Sequence, residues 1–467
     1  MLTYSFEGKG SESLYTHLYN CIKNDVLSGV LAAGYKLPSK RTFAKNLGIS
    51  TITVENAYAQ LIAEGFIYSI PKKGYFVSDI DVTRSVKSAS APMKTAENPQ
   101  FFADLVSNST LHTLFPFSVW AKLMRDVISH KSQSLMTKPP CGGIYELREQ
   151  IAEHLRQFRA VEVDPSRIIV GAGTEYLYGL IIQLVGRGKI YAAEEPGYKK
   201  IGKIYRSNGV KICHVPIDGA GLDAQKLRES GADVVHISPS HHFPTGIVMP
   251  ISRRYELLSW AAQKDGRYII EDDYDSEFRM VGKPVPSLKS IDAADAVIYM
   301  NTFTKSLAPT IRISYMVLPE PLAERFYREL GFYSCTVSNF EQYTLAEFIG
   351  GGYMENHINR MRRHYKNVRD TLLYEIRKNP TLKSAKILEE DAGLHFLLKL
   401  DTRLTDEELK AAIRREGINI SCLSDYYSDA AQAEKNTLII NYSSILPDDA
   451  RAVAVRLANA VSKKVKM

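Results

Sequence analysis

Lys305, Arg312 and Asp272 are residues whose types and spacing could support chemistry on a carbonyl compound. Lys305 lies in the string Thr-Phe-Thr-Lys-Ser-Leu-Ala-Pro, and Arg312 follows it by seven residues. A lysine amine can form an imine with an aldehyde, and an arginine guanidinium can hold a phosphate through paired hydrogen bonds. Asp272 lies 33 residues before Lys305, at the end of a predicted strand. A carboxylate there could hold the protonated nitrogen of a bound heterocycle such as a pyridine, and the protonated ring would then act as an electron sink.

Other polar side chains could complete such a site. Thr302 and Thr304 add hydroxyl donors close to the lysine, and Tyr274 could donate to a phenolic oxygen on the ring. Gly173 and Thr174 end a Gly-Ala-Gly-Thr string that directly precedes a predicted helix. Small residues at a helix N-terminus expose backbone N–H groups to an anion, so this string could bind the phosphate.

Two more strings extend the pattern: Glu-Pro-Gly-Tyr ends at Tyr198, and Ser-Pro-Ser-His-His-Phe-Pro-Thr-Gly begins at Ser238. In this order and spacing, the strings resemble those of the fold-type-I aminotransferases. The resemblance implies pyridoxal phosphate as cofactor, a Schiff base with Lys305, and a ring-stacking role for Tyr198. The candidate cofactor-binding residues are Gly173, Thr174, Tyr198, Asp272, Tyr274, Thr302, Thr304, Lys305 and Arg312.

One position departs from the family pattern. Phe243 stands where the family's Asn-Pro-Thr-Gly loop has its asparagine. The asparagine normally contacts the phenolic oxygen of the cofactor. Either Tyr274 or His242 serves here instead, or the contact is absent.

The elements that must position these residues alternate between strand and helix patterns. Residues 167–171, 233–237 and 267–271 have strand-like runs, and residues 145–158 and 255–264 have helical ones. Such alternation predicts an α/β fold around a mostly parallel sheet. From about residue 382 to residue 467, shorter strands mix with helices, which predicts a smaller α+β subdomain.

The N-terminal part has the pattern of a winged helix-turn-helix. Residues 14–27 have apolar side chains at helical spacing, and Ser39 and Ser50 are predicted N-caps of two further helices. Residues 66–77 alternate around Pro-Lys-Lys-Gly, which predicts a two-stranded wing with a basic tip. In such a unit the third helix enters the major groove, and basic residues nearby bind phosphates.

The same segment resembles the GntR-type winged helix through Leu-Pro-Ser-x-Arg, Ser-x-x-Thr-Val, Ala-Tyr-x-x-Leu and Glu-Gly. Relatives usually have arginine after the capping serine, where this chain has Thr51, so the operator sequence cannot be transferred from them. The candidate DNA-binding residues are Lys40, Arg41, Ser50, Thr51, Thr53, Lys72 and Lys73.

These patterns divide the chain into three parts. We expect a DNA-binding domain over residues 1–78, a flexible linker over 79–100 and an aminotransferase-like domain over 101–467. The combination resembles the MocR/GabR subfamily of GntR-type regulators. That resemblance implies a pyridoxal phosphate-dependent switch and a domain-swapped homodimer that binds a double-stranded DNA operator.

The composition is that of a soluble globular protein, and the length of 467 residues suggests two or three domains. The net charge is +7, and the first residues lack the apolar stretch of a signal peptide. No apolar run reaches the ~20 residues of a membrane span. We therefore expect a cytoplasmic protein with no membrane partner. The cysteines have no CxxC spacing, which predicts reduced thiols and no metal site: they are Cys21, Cys141, Cys213, Cys335 and Cys422.

The substrate side of the pattern is incomplete. Aminotransferases of this fold bind the substrate carboxylate with an arginine in a C-terminal strand, and the corresponding stretch here, residues 437–442, has none. Lys200 could hold an effector carboxylate instead, with His242 as a second candidate effector contact. Alternatively, pyridoxal phosphate itself could be the signal.

Three hypotheses remain from the sequence. The first is a regulator whose operator binding responds to an amine effector or to pyridoxal phosphate, with the large domain acting as a sensor without physiological turnover. The second is a pyridoxal phosphate-dependent aminotransferase with an appended DNA-binding domain. The third is a dimerisation scaffold that no longer binds the cofactor.

Overall fold

The computed structural model describes residues 2–6, 12–80, 100–107, 110–280, 282, 285–391 and 393–462. The predicted linker falls mainly on residues 81–99, which lie outside the described residues. The chain divides into two compact units, Met1–Asn98 and Pro99–Met467. None of the described helices combines the length and apolarity that a membrane crossing requires.

The first unit is a three-helix bundle with a small antiparallel sheet. The side chains of Ser13, Ser39 and Ser50 each accept a hydrogen bond from a backbone N–H three residues on, which caps the three helices. Leu18, Ile22 and other apolar side chains form one buried core between them. The elements are α1 (Leu14–Leu27), β1 (Lys36–Leu37), α2 (Lys40–Leu47), α3 (Thr51–Ala63), β2 (Ile67–Ile70) and β3 (Gly74–Val77), with sheet order β1-β3-β2.

The second unit is built on a central mixed sheet. Five neighbouring strands run parallel, and antiparallel strands complete both edges. The sheet order is β5-β12-β11-β10-β9-β6-β7-β8. Its strands are β5 (Ile168–Gly171), β6 (Ile190–Glu195), β7 (Lys211–Asp218), β8 (Gly221–Leu222), β9 (Val234–Ile237), β10 (Tyr268–Asp272), β11 (Val297–Thr302) and β12 (Ser314–Val317).

Helices flank this sheet and bury apolar cores against it. The strands are largely buried because they are covered on both faces, as their nearly continuous apolar runs predict. The helices of this unit are α4 (Phe117–His130), α5 (Ser132–Leu135), α6 (Tyr145–Arg159), α7 (Thr174–Val185), α8 (Lys199–Ser207), α9 (Ala224–Glu229), α10 (Ile251–Ala262), α11 (Phe303–Ser306), α12 (Glu320–Glu329), α13 (Asn339–Gly350), α14 (Tyr353–Lys378), α15 (Asp406–Arg415) and α16 (Ala450–Ser462).

A smaller α+β layer follows, as predicted, but it recruits chain from outside residues 382–467. Ala103 and Asp104 form a strand that pairs in parallel with Ile418 and Asn419. Side chains of α14 from Met361 onward share the same core. Pairing between residues more than 300 positions apart leaves no local pattern, so the sequence did not reveal it. The strands are β4 (Ala103–Asp104), β13 (Lys386–Leu388), β14 (His395–Lys399), β15 (Ile418–Asn419), β16 (Ser421–Cys422) and β17 (Thr437–Asn441).

Candidate functional site

The carboxyl ends of two parallel strands place the two main chemical groups together. Asp272 is the last residue of β10, and Lys305 lies on the short helix α11 that follows β11. The two strands are direct neighbours, with Asp272 opposite Met300. Ligands of open α/β sheets bind outside the carboxyl ends of the strands, so this is the expected edge for a site.

A cavity of about 280 Å³ opens at this edge. Its wall includes eight of the nine candidate cofactor-binding residues, and the ninth, Gly173, directly precedes one of them. Lys200 also contributes to the wall, whereas His242 does not. The predicted residues that line the cavity are Thr174, Tyr198, Lys200, Asp272, Tyr274, Thr302, Thr304, Lys305 and Arg312.

The two carboxylate oxygens of Asp272 differ in their hydrogen-bond partners. Its Oδ2 accepts a hydrogen bond of 2.8 Å from the Tyr178 hydroxyl and lies 3.5 Å from Nε2 of His236. Its Oδ1 is buried and has no hydrogen-bond partner within the described residues. A buried carboxylate oxygen without a donor is costly, so the site is suited to a protonated ring nitrogen. The donor set therefore fits a pyridinium cofactor.

The sequence did not identify Tyr178 or His236. Tyr178 lies one helical turn after Thr174 on α7, so the spacing of i and i+4 could have placed both at the same site. His236 is on β9, and the Tyr205 hydroxyl lies 2.8 Å from its Nδ1. Only the neighbouring position of β9 and β10 in the sheet brings this imidazole to Asp272, and that is a tertiary effect.

The amine of Lys305 is prepared for nucleophilic chemistry. Burial lowers the pKa of Lys305 from its ordinary value to about 7, and the charge of Asp275 partly opposes this shift. A large share of the amine is therefore neutral near neutral pH, and the neutral form is the nucleophile.

The pKa predicts how cofactor attachment depends on pH. Borohydride traps pyridoxal phosphate that has become covalently attached to the protein, so it can be used to measure the rate of attachment. This rate should rise through pH 7, where the pKa of Lys305 lies, and level off above about pH 8. It should be roughly tenfold lower at pH 6 than at pH 8, because the neutral fraction of the amine changes by that factor. A simple alkylamine in solution is the control, since its rate should keep rising up to about pH 10. A protein rate that follows the alkylamine would contradict the lowered pKa.

Another part of the cavity wall offers anion donors. Gly173 has φ of +92° and is the N-cap of the 12-residue helix α7, so backbone N–H groups of the first turn are available to a phosphate. A Cβ at this position would lie 2.5 Å from Nη2 of Arg312. The glycine therefore lets the guanidinium lie directly against the helix N-terminus. Thr302 and Thr304 lie nearby on α11 and its N-cap, with their hydroxyls 2.9 Å apart.

Gly173→Ala should weaken pyridoxal phosphate binding by at least about tenfold while the protein remains folded. The added methyl group would displace Arg312 and force a side chain into a positive φ. Fluorescence titration of the protein with pyridoxal phosphate would measure the change. Gly179→Ala is the matched control, because a Cβ there meets nothing within 4 Å on the same helix. Equal affinities for the two variants would contradict this role of the glycine.

Lys200 lies in the same part of the wall as Arg312. Its ammonium forms an ion pair with Glu175, and Nη2 of Arg312 lies 3.8 Å from the same carboxylate oxygen. The structure therefore places Lys200 beside Arg312, the candidate phosphate ligand, and the charge of Lys200 is already shared with Glu175. This position does not favour the predicted role of Lys200 as a carboxylate anchor beyond the ring.

His242 and Tyr274 were the two alternatives for the phenolic oxygen. Nδ1 of His242 lies 2.7 Å from the Thr245 hydroxyl, and its Nε2 lies 3.5 Å from Glu194. Burial holds the pKa of His242 down at about 3, so the imidazole is neutral. Tyr274 lines the cavity, and its hydroxyl lies 3.3 Å from Nδ1 of His241. Of the two alternatives, the geometry favours Tyr274.

Glu194 is a cavity residue that the sequence analysis missed. One oxygen accepts a 3.0 Å hydrogen bond from the backbone N–H of Ser238, and the other has no partner within the described residues. Burial raises the pKa of Glu194 to about 8, with the charge of Asp272 adding to the shift. The side chain is therefore largely protonated at neutral pH. Its only sequence signal was its position one residue before the Glu-Pro-Gly-Tyr string.

The DNA-reading face of the first unit is exposed. The hydroxyls of Ser50 and Thr53 lie 2.8 Å apart and share a hydrogen bond in the helix cap. Lys40 forms an ion pair of 2.5 Å with Glu55 of α3. The remaining candidates lie on the surface: they are Arg41, Thr51, Lys72 and Lys73.

An exposed isoleucine on the same face was not among the predicted residues. Ile52 is 68% exposed on the first turn of α3. Its neighbours Val54, Ala57 and Tyr58 are fully buried, so the apolar periodicity of the helix does not require an isoleucine here. A methyl-rich side chain at the N-terminus of a recognition helix is suited to contact the methyl group of thymine.

Comparison with known proteins agrees with both parts of the chain. The model of the family "Aminotransferase class I and II" matches residues 104–454, and that of "Bacterial regulatory proteins, gntR family" matches residues 14–77. The uncharacterized HTH-type transcriptional regulator YdeL of Bacillus subtilis is 38% identical over 94% of both chains. The probable rhizopine catabolism regulatory protein MocR of Rhizobium meliloti is 31% identical over 94% of this chain and 92% of its own.

Among solved structures, the kynurenine aminotransferase of Pyrococcus horikoshii in complex with PMP superposes with a TM-score of 0.69. It is 23% identical in sequence, and the match covers 79% of this chain and 93% of that one. At this identity, the likeness establishes the fold of the second unit.

Proposed function

Because the chain belongs to the MocR/GabR subfamily of GntR-type regulators, with a DNA-binding winged helix and a pyridoxal phosphate-binding aminotransferase domain, we propose that occupancy of the cofactor site controls its affinity for operator DNA. The controlling ligand is an amine that reacts at the site or pyridoxal phosphate itself. We further propose that the protein acts in the cytoplasm, where its operator DNA is found, as a domain-swapped homodimer.

The observation that carries the proposal is that one cavity is lined by both Lys305 and Asp272, whose Oδ1 has no hydrogen-bond partner within the described residues. When bound, pyridoxal phosphate supplies an electrophilic carbon and an electron-withdrawing ring. The residues of this chain bind and orient it: Lys305 provides the amine, Asp272 holds the proton on the ring nitrogen, and Arg312 binds the phosphate. A scaffold without cofactor would have no need for a carboxylate with a buried, unsatisfied oxygen.

The cavity is suited to sense its contents because both layers of the second unit line it. Glu195 of the central sheet accepts hydrogen bonds from the backbone N–H and the hydroxyl of Ser428 in the small layer, the latter at 3.1 Å. The N–H of Gly197 donates to the carbonyl of Tyr426 over 3.3 Å. A ligand that contacts both sides would change how strongly the layers are held together, which is the differential interaction that coupling requires.

Operator affinity should be measured on the full-length chain with DNA selected from a randomised library. Fluorescence anisotropy would report affinity for that DNA as pyridoxal phosphate, and then amines, are added to the protein. The proposal expects at least a fivefold change with one of these ligands, the lower range of typical allosteric coupling. No change with any ligand that demonstrably occupies the cavity would refute it.

The alternative function, an aminotransferase with an appended DNA-binding domain, is tested with the same preparations. Sustained conversion of an amino acid with a keto-acid acceptor, at a rate of enzyme-like turnover, would support it. The lining of the cavity gives it little support, since the one arginine among its described residues, Arg312, is the proposed phosphate ligand.

The exposed Ile52 predicts a specific dependence on thymine. Replacing one thymine of the selected operator with uracil removes only the methyl group, and we expect the wild type to lose about 1 kcal/mol, or about fivefold in affinity. Ile52→Ala should be insensitive to this replacement and should select thymine less strongly. Ile62→Ala, at the other end of α3, is the control and should behave as the wild type. Equal sensitivity of both variants to uracil would exclude Ile52 as the reader.

A further inference from the structure

Part of the cavity wall supplies neither the reactive amine nor the candidate partners of the phosphate and the ring nitrogen, and this part is aromatic and carries a negative charge. From this wall we infer that the effector is a primary amine with an apolar group and no carboxylate. The inference rests on the proposed function, because it names the class of amine that would act at the same site.

Three aromatic rings form this part of the wall. Phe243 lies edge-to-face with Tyr198, with ring centroids 6.0 Å apart, and edge-to-face with Tyr426 at 5.0 Å. Both interplanar angles are 87°. We refer to Tyr198, Phe243 and Tyr426 as the aromatic wall. Such rings favour apolar groups, and a carboxylate placed against them would lose its hydration without gaining a donor.

Apolar side chains support the aromatic wall from behind. Phe243 and Tyr426 pack against a buried cluster that includes Leu397, Leu423 and Ile439. Ile439 lies in the middle of β17, and every residue of that strand is buried. This is the stretch in which related aminotransferases place the arginine that binds a substrate carboxylate. The strand here contributes support for the rings, and its own side chains offer no charge to a ligand.

The positively charged side chains of the lining already have other roles or are exposed to solvent. Arg312 and Lys200 both pair with Glu175, and Lys305 provides the reactive amine. Lys199 is exposed, so an ion pair with it would be screened and would contribute little. Among the described lining residues, no guanidinium therefore remains for a carboxylate beyond the ring.

A negative charge in the cavity lining acts against a carboxylate as well. Glu195 lines the cavity and is held by Ser428 and by Nδ1 of His214 at 3.2 Å. Burial lowers the pKa of His214 despite the opposing charge of Glu195, which keeps the imidazole largely neutral at neutral pH. The carboxylate of Glu195 is thus not fully compensated, and it repels a second anion.

The experiment compares amino acids with the amines that remain when their carboxylate is removed. The full-length chain loaded with pyridoxal phosphate is titrated with tyramine against tyrosine, phenethylamine against phenylalanine, and isopentylamine against leucine. The change in cofactor absorbance gives a dissociation constant for each compound, and anisotropy gives its effect on operator binding. We expect each amine to bind at least about tenfold more tightly than its amino acid and to be the member of the pair that changes operator affinity.

Two variants test whether the aromatic wall is responsible. Phe243→Leu should lower the affinity for tyramine and phenethylamine severalfold and reduce their advantage over the amino acids. Phe332→Leu is the control, because this phenylalanine is 70% exposed and does not line the cavity.

The outcomes separate the inference from the proposed function. If the amino acids bind as tightly as their amines, or more tightly, the inference about the effector is overturned. If operator affinity still responds to these compounds, the proposed function remains intact. A response to pyridoxal phosphate alone, with none to any amine, would have the same meaning. No operator response to any compound, despite measurable binding, would overturn both.

Discussion

The Lys305→Ala variant is expected to bind operator DNA as the wild type does, but to lose all response to amines. Without the amine, no covalent link between protein and pyridoxal phosphate can form. The phosphate donors and Asp272 remain, so the variant should still bind the cofactor reversibly. The first unit is compact by itself, and for that reason a change in the second should leave basal DNA affinity unchanged.

Three measurements check this expectation. Borohydride reduction followed by mass spectrometry should locate the cofactor on the peptide containing Lys305 in the wild type and find no adduct in the variant. Anisotropy should show equal basal affinity for the selected operator and no shift when amines are added to the variant. Lys199→Ala is the matched control, because Lys199 also lines the cavity but is exposed and should not be needed. An amine response in Lys305→Ala would exclude a mechanism through this lysine.

The candidate site residues could be predicted from the sequence because the short strings that contain them resemble those of the fold-type-I aminotransferases. Asp272 ends β10 and Lys305 follows β11, and these positions follow from local apolar runs and the rule that parallel strands gather their carboxyl ends at one edge. The helix caps Ser39 and Ser50 could also be predicted from the sequence, because a serine side chain caps a helix through local hydrogen bonds. Chemistry that depends on neighbours in sequence was therefore visible.

The surroundings of these residues could not be predicted, because they depend on distant parts of the chain. His236 reaches Asp272 only through the order of the sheet, and Glu175 determines where the charge of Lys200 is used. The burial that makes His242 neutral arises from packing around Glu194 and Thr245. The reactive groups were therefore predictable from short motifs, whereas the protonation states and pairings that decide their roles depend on the three-dimensional structure.

Gly393→Ala is expected to have the second largest effect, by separating the small layer from the central sheet. Gly393 has φ of +67°, and a Cβ there would lie 1.8 Å from Cε1 of His241. The imidazole is buried and makes a 2.8 Å contact with Asp275, so moving it away would break that contact. The Gly393 backbone is fixed as well, because its carbonyl accepts a 2.7 Å hydrogen bond from the Tyr442 hydroxyl. We expect a loss of about 3 kcal/mol or more in the free energy of unfolding.

Urea unfolding followed by tryptophan fluorescence would measure this loss, since both tryptophans, Trp120 and Trp260, lie in the second unit. Gly352→Ala separates the two causes: its φ is +72°, but a Cβ there meets nothing within 4 Å. That control should therefore cost only the backbone strain of about 1 kcal/mol. Because Asp275 influences the pKa of Lys305, displacement of His241 in Gly393→Ala should also weaken cofactor binding. Equal stability of the two variants would mean that the small layer can shift without loss, and that its contact with His241 does not hold the site together.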